Sequence, residues 1–456
     1  MHGSPRRLRI AFLAYRGNPH SGGQGVYTRY LTRELTALGH HVEVFAGPPY
    51  PHLDDGVPLV EVPSLDLYRQ PDPFRIPRPR EVRSGIDVLE FALMCTAGFP
   101  EPLTFSLRAR KVLAQRREDF DIVHDNQCLG RGLLGMMDDG WPIVATVHHP
   151  ITVDRDLELS HARSLRRRLI LRRWYGFVGM QLEVTRQLPR VVTVSASSKS
   201  DIVEHMGVEP SRLAVVPIGV DDTLFQPRPG VARVPGRLMT TASADVPLKG
   251  LVPLLEALAK VRTERPAELV VIGEPRSASR VRATIKRLGL DDAVRFVSKV
   301  TDDRIVQLYS EAEVAVVPSL YEGFSLPAVE AMACGVPVVA TTGGALPEVV
   351  GTDGVTGLLV PPGDPGALAM AIGTALDDAG LRARIGAAGR ARVLERFTWA
   401  AAARATVEQY RTVLDATAPA DGLPGPLPGP ALGATAPAGD LSGRPPGPAL
   451  DRSGGS

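Results

Sequence analysis

The chain is poor in cysteine. Cys95, Cys128 and Cys334 are the only three among 456 residues, and they lie far apart. That spacing offers neither a disulfide framework nor a cysteine metal site, so a reducing, cytoplasmic setting is expected. Long apolar runs are also missing, and no stretch approaches the length that spans a bilayer. The basic N-terminus MHGSPRRLRIAFLAYRG leads into a short apolar run, Ile10 to Ala14. That run is too short for a signal-peptide core and reads as a first strand. A formal net charge of +2 gives no bulk attraction to nucleic acid. Residues 416–456 are dominated by proline, glycine and alanine, with no aromatic residue and no lysine. Such a tail cannot bury enough surface to fold and is expected to be disordered.

What is present centres on residues 315–341, AVVPSLYEGFSLPAVEAMACGVPVVAT. The pattern predicts a short strand from Val314 to Val317, a turn, a helix opened by Ser325 and Pro327, and a strand from Val338 to Ala340 after Gly335. A polar loop at the carboxyl end of a parallel strand is where ligands bind in open α/β sheets. The N–H groups of Gly323, Phe324, Ser325 and Leu326 would lie at a helix N-terminus and suit a phosphate. Glu322 and Glu330 bracket that site with seven residues between them. Carboxylates beside a phosphate site make sense where they face hydroxyls, as on sugars. Glu330 would then hold a ribose and Glu322 a second sugar. By spacing alone, Glu322 is as readily a turn residue and Glu330 a surface helix residue near a favourable dipole.

The segment from Glu322 to Glu330, followed by Ala-Met-Ala-Cys-Gly-Val-Pro, resembles the E-x7-E signature of the retaining glycosyltransferases of family 4. The resemblance covers roughly residues 8–415 and implies the GT-B fold: α/β, with two Rossmann-like doubly wound domains facing across a cleft. The expected division is 1–217 for an acceptor domain, 218–397 for a nucleotide-sugar donor domain, 398–415 for a helix crossing back, and 416–456 for the tail.

In the N-terminal half, a strand from Leu8 to Ala14, a glycine-rich loop Ser21-Gly-Gly-Gln-Gly25 and an apolar-periodic helix form a βαβ unit with Val42 to Ala46. The loop lacks the dinucleotide spacing. It resembles the family's GG-x-G loop, which points to Gly23 with Gly22 and Gly25 in support. Residues 48–115 read as irregular, apart from an apolar patch from Val88 to Phe105, which is either a core helix with a loop or part of the acceptor site. Strands are predicted at Phe120 to His124, Ile143 to Val147 and Val191 to Ser195. Thr146-Val147-His148 matches the family's T-x-H position, which selects His148 over His149 for contact with the transferred sugar. The triplets Asp119–Asp121 and Asp154–Asp156 are not read as metal sites, and no metal is expected. The basic segment from Ser160 to Arg173 is either a peripheral contact with an anionic membrane face or a solvated helix whose arginines pair with acids. Pro217-Ile-Gly-Val-Asp221 resembles the family's hinge, with Ile218 in place of asparagine.

In the C-terminal half, Lys249-Gly250 opens a helix with Leu251, Leu254, Leu255, Leu258 and Val261 on one face. A lysine there is unfavourable with the dipole unless an anion binds. Lys249 matches the lysine of the family's R-x5-K diphosphate pair, but Ser243 stands where the arginine would be. Val300 falls where the family binds the base through backbone atoms. That leaves a UDP- or GDP-linked sugar equally open.

The resemblance therefore implies transfer of a sugar from a nucleotide-diphosphate donor to an acceptor hydroxyl, with retention and without a cofactor. His148, Glu322 and Lys249 are the expected catalytic residues. Gly23, Val300, Gly323, Phe324, Ser325, Leu326 and Glu330 are expected to hold the donor. The acceptor (lipid, small metabolite or glycan) is not readable. An epimerase on the same fold, or a sensor that binds donor without turning it over, are the alternatives.

Overall fold

The computed structural model describes residues 6–17, 23–69, 71–161, 164–242, 244–277 and 279–417. Gly22, Ser243 and the tail from residue 418 lie outside them, as do the side chains of Asp154 and Ser160. Seven strands build the first sheet: β1 (Arg9–Ala14), β2 (His41–Ala46), β3 (Leu59–Glu61), β4 (Ile122–Asn126), β5 (Ile143–Val147), β6 (Arg190–Thr193) and β7 (Leu213–Val215). Six build the second: β8 (Arg237–Thr241), β9 (Glu268–Ile272), β10 (Val294–Val297), β11 (Val314–Val317), β12 (Val338–Thr341) and β13 (Leu358–Val360). The spatial orders are β3-β2-β1-β4-β5-β6-β7 and β10-β9-β8-β11-β12-β13, and every pairing is parallel. Both sheets reverse order beside their first strand, so both are doubly wound. Ligands of such sheets bind at that reversal, outside the carboxyl ends of the strands.

Helices cover both faces, so the strands read as continuous apolar runs: β4 and β5 are buried at every residue. The helix Leu251–Val261 buries Leu251, Leu254, Leu255, Leu258 and Val261 against the second sheet. The last helix, Trp399–Thr417, crosses back. Its Trp399, Ala403, Val407 and Tyr410 join the core of the first sheet with Ile10, Tyr27 and Leu31. Tyr410 is hydrogen-bonded through its hydroxyl to Nδ1 of the buried His124, at 2.5 Å. The crossing needs a glycine: a Cβ on Gly219 would lie 2.2 Å from the Trp399 nitrogen.

Four sequence-based expectations change. The strand expected from Phe120 begins at Ile122, because the Asp121 carboxylate takes the Arg9 N–H at 2.8 Å and pairs with the guanidinium as well. Ser195 lies beyond β6, where its hydroxyl caps the helix Ala196–Asp201. Residues 48–115 are not irregular: they hold β3 and the helices Gly85–Cys95 and Glu101–Ala114. The first of these is turned inside out. Asp87 and Glu90 face inward around Arg108, with the Asp87 contact at 2.6 Å, while Val88 is 57% exposed. One buried guanidinium with two acids outweighs the apolar pattern, because an unpaired buried charge would cost several kcal/mol. On the helix Leu165–Trp174 the apolar residues stay mostly outside, which both expectations for that basic segment allow. Leu165 and Leu169 are 79% and 65% exposed, and the buried residue is Leu171.

Candidate active site

The β11–loop–helix–β12 unit forms as its sequence suggests. Ser325 is fully buried, and its hydroxyl accepts the Ala328 N–H at the start of the helix Leu326–Ala333. Phe324 packs its half-buried ring against Phe397, the centroids 5.8 Å apart. The loop is pinned from two sides. Ala345 N–H donates to the Glu322 carbonyl at 2.8 Å, and a Cβ on Gly344 would sit 2.3 Å from that same oxygen. Gly250 has φ +65°, and a Cβ there would come within 1.8 Å of the Pro318 carbonyl. That close approach carries Lys249 onto the loop. Lys249 Nζ donates to Glu322 Oε1 at 2.8 Å and Oε2 at 3.0 Å, and Ser319 Oγ donates to Oε1 at 2.7 Å. Glu322 is 7% exposed, so both of its oxygens are neutralised within the protein.

Glu330 occupies a different wall. It lines a cavity of about 930 Å³ between the two sheets, together with Gly23, Tyr30, Val300, Leu326 and Trp399. Gly23 begins the helix Gly23–Ala37 rather than lying in the loop, and no atom stands within 4 Å of where its Cβ would be. Tyr309 hydroxyl lies 3.4 Å from Glu330 Oε2. Burial pushes the Glu330 carboxyl up to about 7, with Asp302 adding to the rise and the Tyr309 hydrogen bond opposing it. If Glu330 holds a ribose diol, as the resemblance implies, the ionised form holds it best and binding releases the proton. Donor affinity is therefore expected to fall by on the order of tenfold per pH unit below about 6 and to level off above about 7.5. Titration calorimetry in buffers of different ionisation heat should record that proton. Equal affinity from pH 5.5 to 8 would contradict it. The free protein moves the other way. Its folded state holds a proton that the unfolded chain releases near 4.5, so this group's contribution to stability falls as pH rises from there towards 7.

His148 follows β5. Its N–H donates to Gln127 Oε1 at 2.7 Å, and its Nε2 meets Asn126 Oδ1 at 2.8 Å. An acceptor oxygen there puts the proton on Nε2 and leaves Nδ1 as an acceptor. Burial, aided by the neighbouring His149, lowers the imidazole to about 3, so it stays neutral at any working pH. The His148 carbonyl lies 3.6 Å from the Cβ position of Gly323, so the two walls of the cleft meet here.

The sequence did not reveal what holds them together. Ser195 Oγ and Ser198 Oγ both donate to the Gly323 carbonyl, at 2.6 and 3.1 Å. Glu348 Oε2 and Oε1 accept from Ala196 N–H and Ser197 N–H, each at 2.7 Å. Tyr321 hydroxyl reaches Asp201. A serine before a short helix is a readable cap signal, but a second partner more than a hundred residues away is not. Glu348→Ala should loosen this closure by about 1 kcal/mol, since its charged hydrogen bonds are partly exposed. The expected result is a roughly fivefold fall in kcat/KM with donor affinity unchanged. Unchanged steady-state kinetics would remove Glu348 from the closure.

A second cavity of about 490 Å³ lies at the carboxyl ends of β8, β9 and β10, lined by Ala242, Ala244, Arg276 and Lys299. Lys299 has φ +53° and lines both cavities. Asp119 and Asp121 are paired with Arg116 and Arg9. Among the described residues, no group of three or more His, Cys, Asp or Glu could hold a metal ion, and no helix is long and apolar enough to cross a membrane.

Comparison with known proteins matches both halves. Residues 21–224 fit the family model described as Glycosyltransferase Family 4, and residues 228–392 fit that of Glycosyl transferases group 1. The MMP alpha-(1->4)-mannosyltransferase of Mycolicibacterium hassiacum is 54% identical over 408 residues, covering 89% of this chain and 98% of that protein. The D-inositol 3-phosphate glycosyltransferase of Kineococcus radiotolerans is 31% identical over 432 residues, 88% of this chain and 92% of that one. Among solved structures, sucrose-phosphate synthase from Thermosynechococcus elongatus superposes with a TM-score of 0.66 at 24% identity, over 90% of this chain and all of that chain.

Proposed function

The chain belongs to the family 4 glycosyltransferases, which move a sugar from a nucleotide-diphosphate donor to an acceptor hydroxyl, and from that premise we propose that it is a retaining α-mannosyltransferase. The identity to a mannosyltransferase along nearly its whole length supports the sugar. The observation that carries the site is Lys249 bound to both oxygens of Glu322 beside the helix that begins at Leu326. In this reading the donor diphosphate draws Lys249 away from Glu322. The released carboxylate then turns to the sugar hydroxyls, and Lys249 with the backbone N–H groups from Gly323 to Leu326 stabilises the charge that develops on the leaving diphosphate. Glu330 accepts from the ribose, the Val300 backbone from the base, and neutral His148 offers Nδ1 to a sugar hydroxyl. Lys299, which lines both cavities, supplies the second cation in place of the absent arginine.

The test is a panel of UDP- and GDP-linked mannose and glucose with methyl α-mannoside as acceptor, the product anomer being read by proton NMR. An α-linked mannoside from an α-linked donor supports the proposal. A β-linked product overturns retention, and exclusive use of glucose overturns the sugar.

We propose in addition that the helix Leu165–Trp174 contacts an anionic membrane face. Its exposed Leu165, Leu169 and Ile170 stand among Arg166, Arg167, Arg168 and Arg172, a pairing of apolar wedge and cation that suits an interface. Flotation with phosphatidylglycerol vesicles should carry the protein at low salt. Failure to float would remove this contact.

A further inference from the structure

The segment that leaves β4 is bent in a way that side chains resist. Gln127 and Leu129 both have φ +54°, in the left-handed region that residues other than glycine rarely enter. The bend is held from within. Leu129 N–H donates to the buried Asp125 Oδ2 at 3.0 Å, and Cys128 Sγ donates to the Pro102 carbonyl at 3.1 Å. Strain of this kind persists where it serves a site. Here it turns two adjacent and almost fully buried amides, Asn126 and Gln127, onto the end of β5.

Gln127 brackets the two histidines that follow β5. Its Oε1 accepts the His148 N–H at 2.7 Å, and its Nε2 donates to the His149 carbonyl at 2.9 Å. Asn126 reaches the ring. Its Nδ2 donates to the Gln24 carbonyl at 3.3 Å and to Thr28 Oγ1 at 3.1 Å, both on the helix Gly23–Ala37. A carbonyl can only accept, so nitrogen is the amide atom on that side and oxygen faces His148. Thr28 agrees. Its hydroxyl donates to the same Gln24 carbonyl at 2.8 Å, which leaves its oxygen to accept from Asn126. The Asn126 Oδ1 that meets His148 Nε2 at 2.8 Å is therefore an acceptor by construction. The proton sits on Nε2 and the lone pair on Nδ1. The Tyr27 ring packs edge-on against the imidazole, with centroids 4.7 Å apart.

We propose that Asn126 and Gln127 are positioning residues for the transfer step, locking His148 in the tautomer that presents a lone pair to the transferred sugar. Asn126 also ties that imidazole to the helix beginning at Gly23, which lines the donor cavity. The chemistry calls for a lone pair. As the bond to the leaving diphosphate stretches, the sugar ring gains positive charge, and a hydroxyl donating to Nδ1 leaves its own oxygen richer in electrons. An imidazolium, or hydrogen on Nδ1, would oppose that charge. The inference rests on the transferase reading, which puts His148 at the sugar.

The titratable groups around the imidazole are Tyr27, His149, Asp125 and His124, the last sharing the Thr146 hydroxyl with Tyr27 at 2.8 and 3.1 Å. Across the cleft, beside Gly323, Glu322 and Lys249 pair with each other. Burial raises Tyr27 to about 12 and lowers His124 to about 3, so neither changes charge between pH 6 and 9. Asp125, raised to about 7 by burial, does change, so variants are read against the parent at each pH and on the imidazole itself.

The experiment uses full-length protein carrying nitrogen-15-labelled histidine, followed by long-range proton–nitrogen spectra. The His148 signals are assigned by their loss in His148→Gln. The parent should show one tautomer, with hydrogen on Nε2, from pH 6 to 9. Hydrogen on Nδ1 overturns the proposal before any variant is made. Asn126→Asp sets a carboxylate beside Nε2, which favours the imidazolium and should bring its titration into that range. With donor saturating and methyl α-mannoside as acceptor, its kcat should lie about tenfold below the parent at pH 6.5 and recover towards pH 9. Asn126→Ala buries no charge and keeps the test open if the carboxylate variant does not fold. It should show both tautomers and lose about tenfold in kcat with no new pH dependence. A purely structural amide would move the melting temperature and leave the His148 signals and the shape of the pH profile as in the parent. That result overturns the proposal, as does a kcat within threefold of the parent in both variants. A parent that shows the expected tautomer but transfers no sugar overturns the transferase reading, while the locking of His148 stands as measured.

Discussion

Lys249→Ala will lower the transfer rate by about 10²–10³-fold, the usual cost of removing one donor aimed at a developing oxyanion. The side chain is not a loose surface lysine. The tight turn at Gly250 delivers it, and two hydrogen bonds to Glu322 fix its ammonium within reach of the helix that begins at Leu326. Its loss also leaves Glu322, 7% exposed, without its ammonium and held by the Ser319 hydroxyl at 2.7 Å. An unpaired buried carboxylate costs roughly 1–3 kcal/mol, so the variant should also melt earlier. The two effects separate in the double variant Lys249→Ala/Glu322→Gln. A neutral amide needs no ammonium, so stability should return while activity does not. Steady-state transfer assays and thermal melts on the three proteins decide the matter. A single variant that transfers within threefold of the parent would take Lys249 out of the reaction.

Glu330→Ala will abolish donor binding in the micromolar range, raising Kd by about 10²-fold. Two hydrogen bonds from a diol to a charged acceptor are together worth roughly 3 kcal/mol after partial desolvation. Unlike Lys249, this residue carries a stability cost in the free protein. Its carboxyl is raised to about 7 by burial, and Tyr309, the neighbour at 3.4 Å, keeps contacts with Thr241 Oγ1 at 3.2 Å and the Pro327 carbonyl at 3.3 Å when it is gone. The variant should therefore melt no lower than the parent near neutral pH, the pattern of a residue kept for binding rather than folding. Thermal shift with and without donor reads both quantities. A variant that loses several degrees without donor, yet is still stabilised by it, would make Glu330 structural.

The local parts of this protein were legible in order along the chain. The strand, turn, capped helix and strand from 314 to 341 follow from short apolar runs, a serine cap, an early proline and a closing glycine. Each of these acts within a few residues. The sign of Lys249 against the helix dipole was legible for the same reason. The pattern misread the helix Gly85–Cys95. An apolar run there predicts burial, but Arg108 lies 18 residues beyond Glu90 and 21 beyond Asp87, and pairing with it turned the charged face inward. Periodicity records what a helix would bury in isolation, not which charge waits across the interface.

The sequence by itself determined two doubly wound sheets, the loop between Glu322 and Glu330, and the residue types that a sugar nucleotide needs. The loop follows from short-range sterics, capping and apolar runs, whereas the two doubly wound sheets and the sugar-nucleotide roles are what the resemblance to family 4 implied. Only the tertiary structure decided that Lys249 meets Glu322 across 73 residues, that Ser195 reaches Gly323 across 128, and that rings from residues 68, 74, 99 and 174 share one surface. Those contacts depend on how separate elements dock. Docking is set by the summed burial of whole faces, which no short stretch of chain encodes.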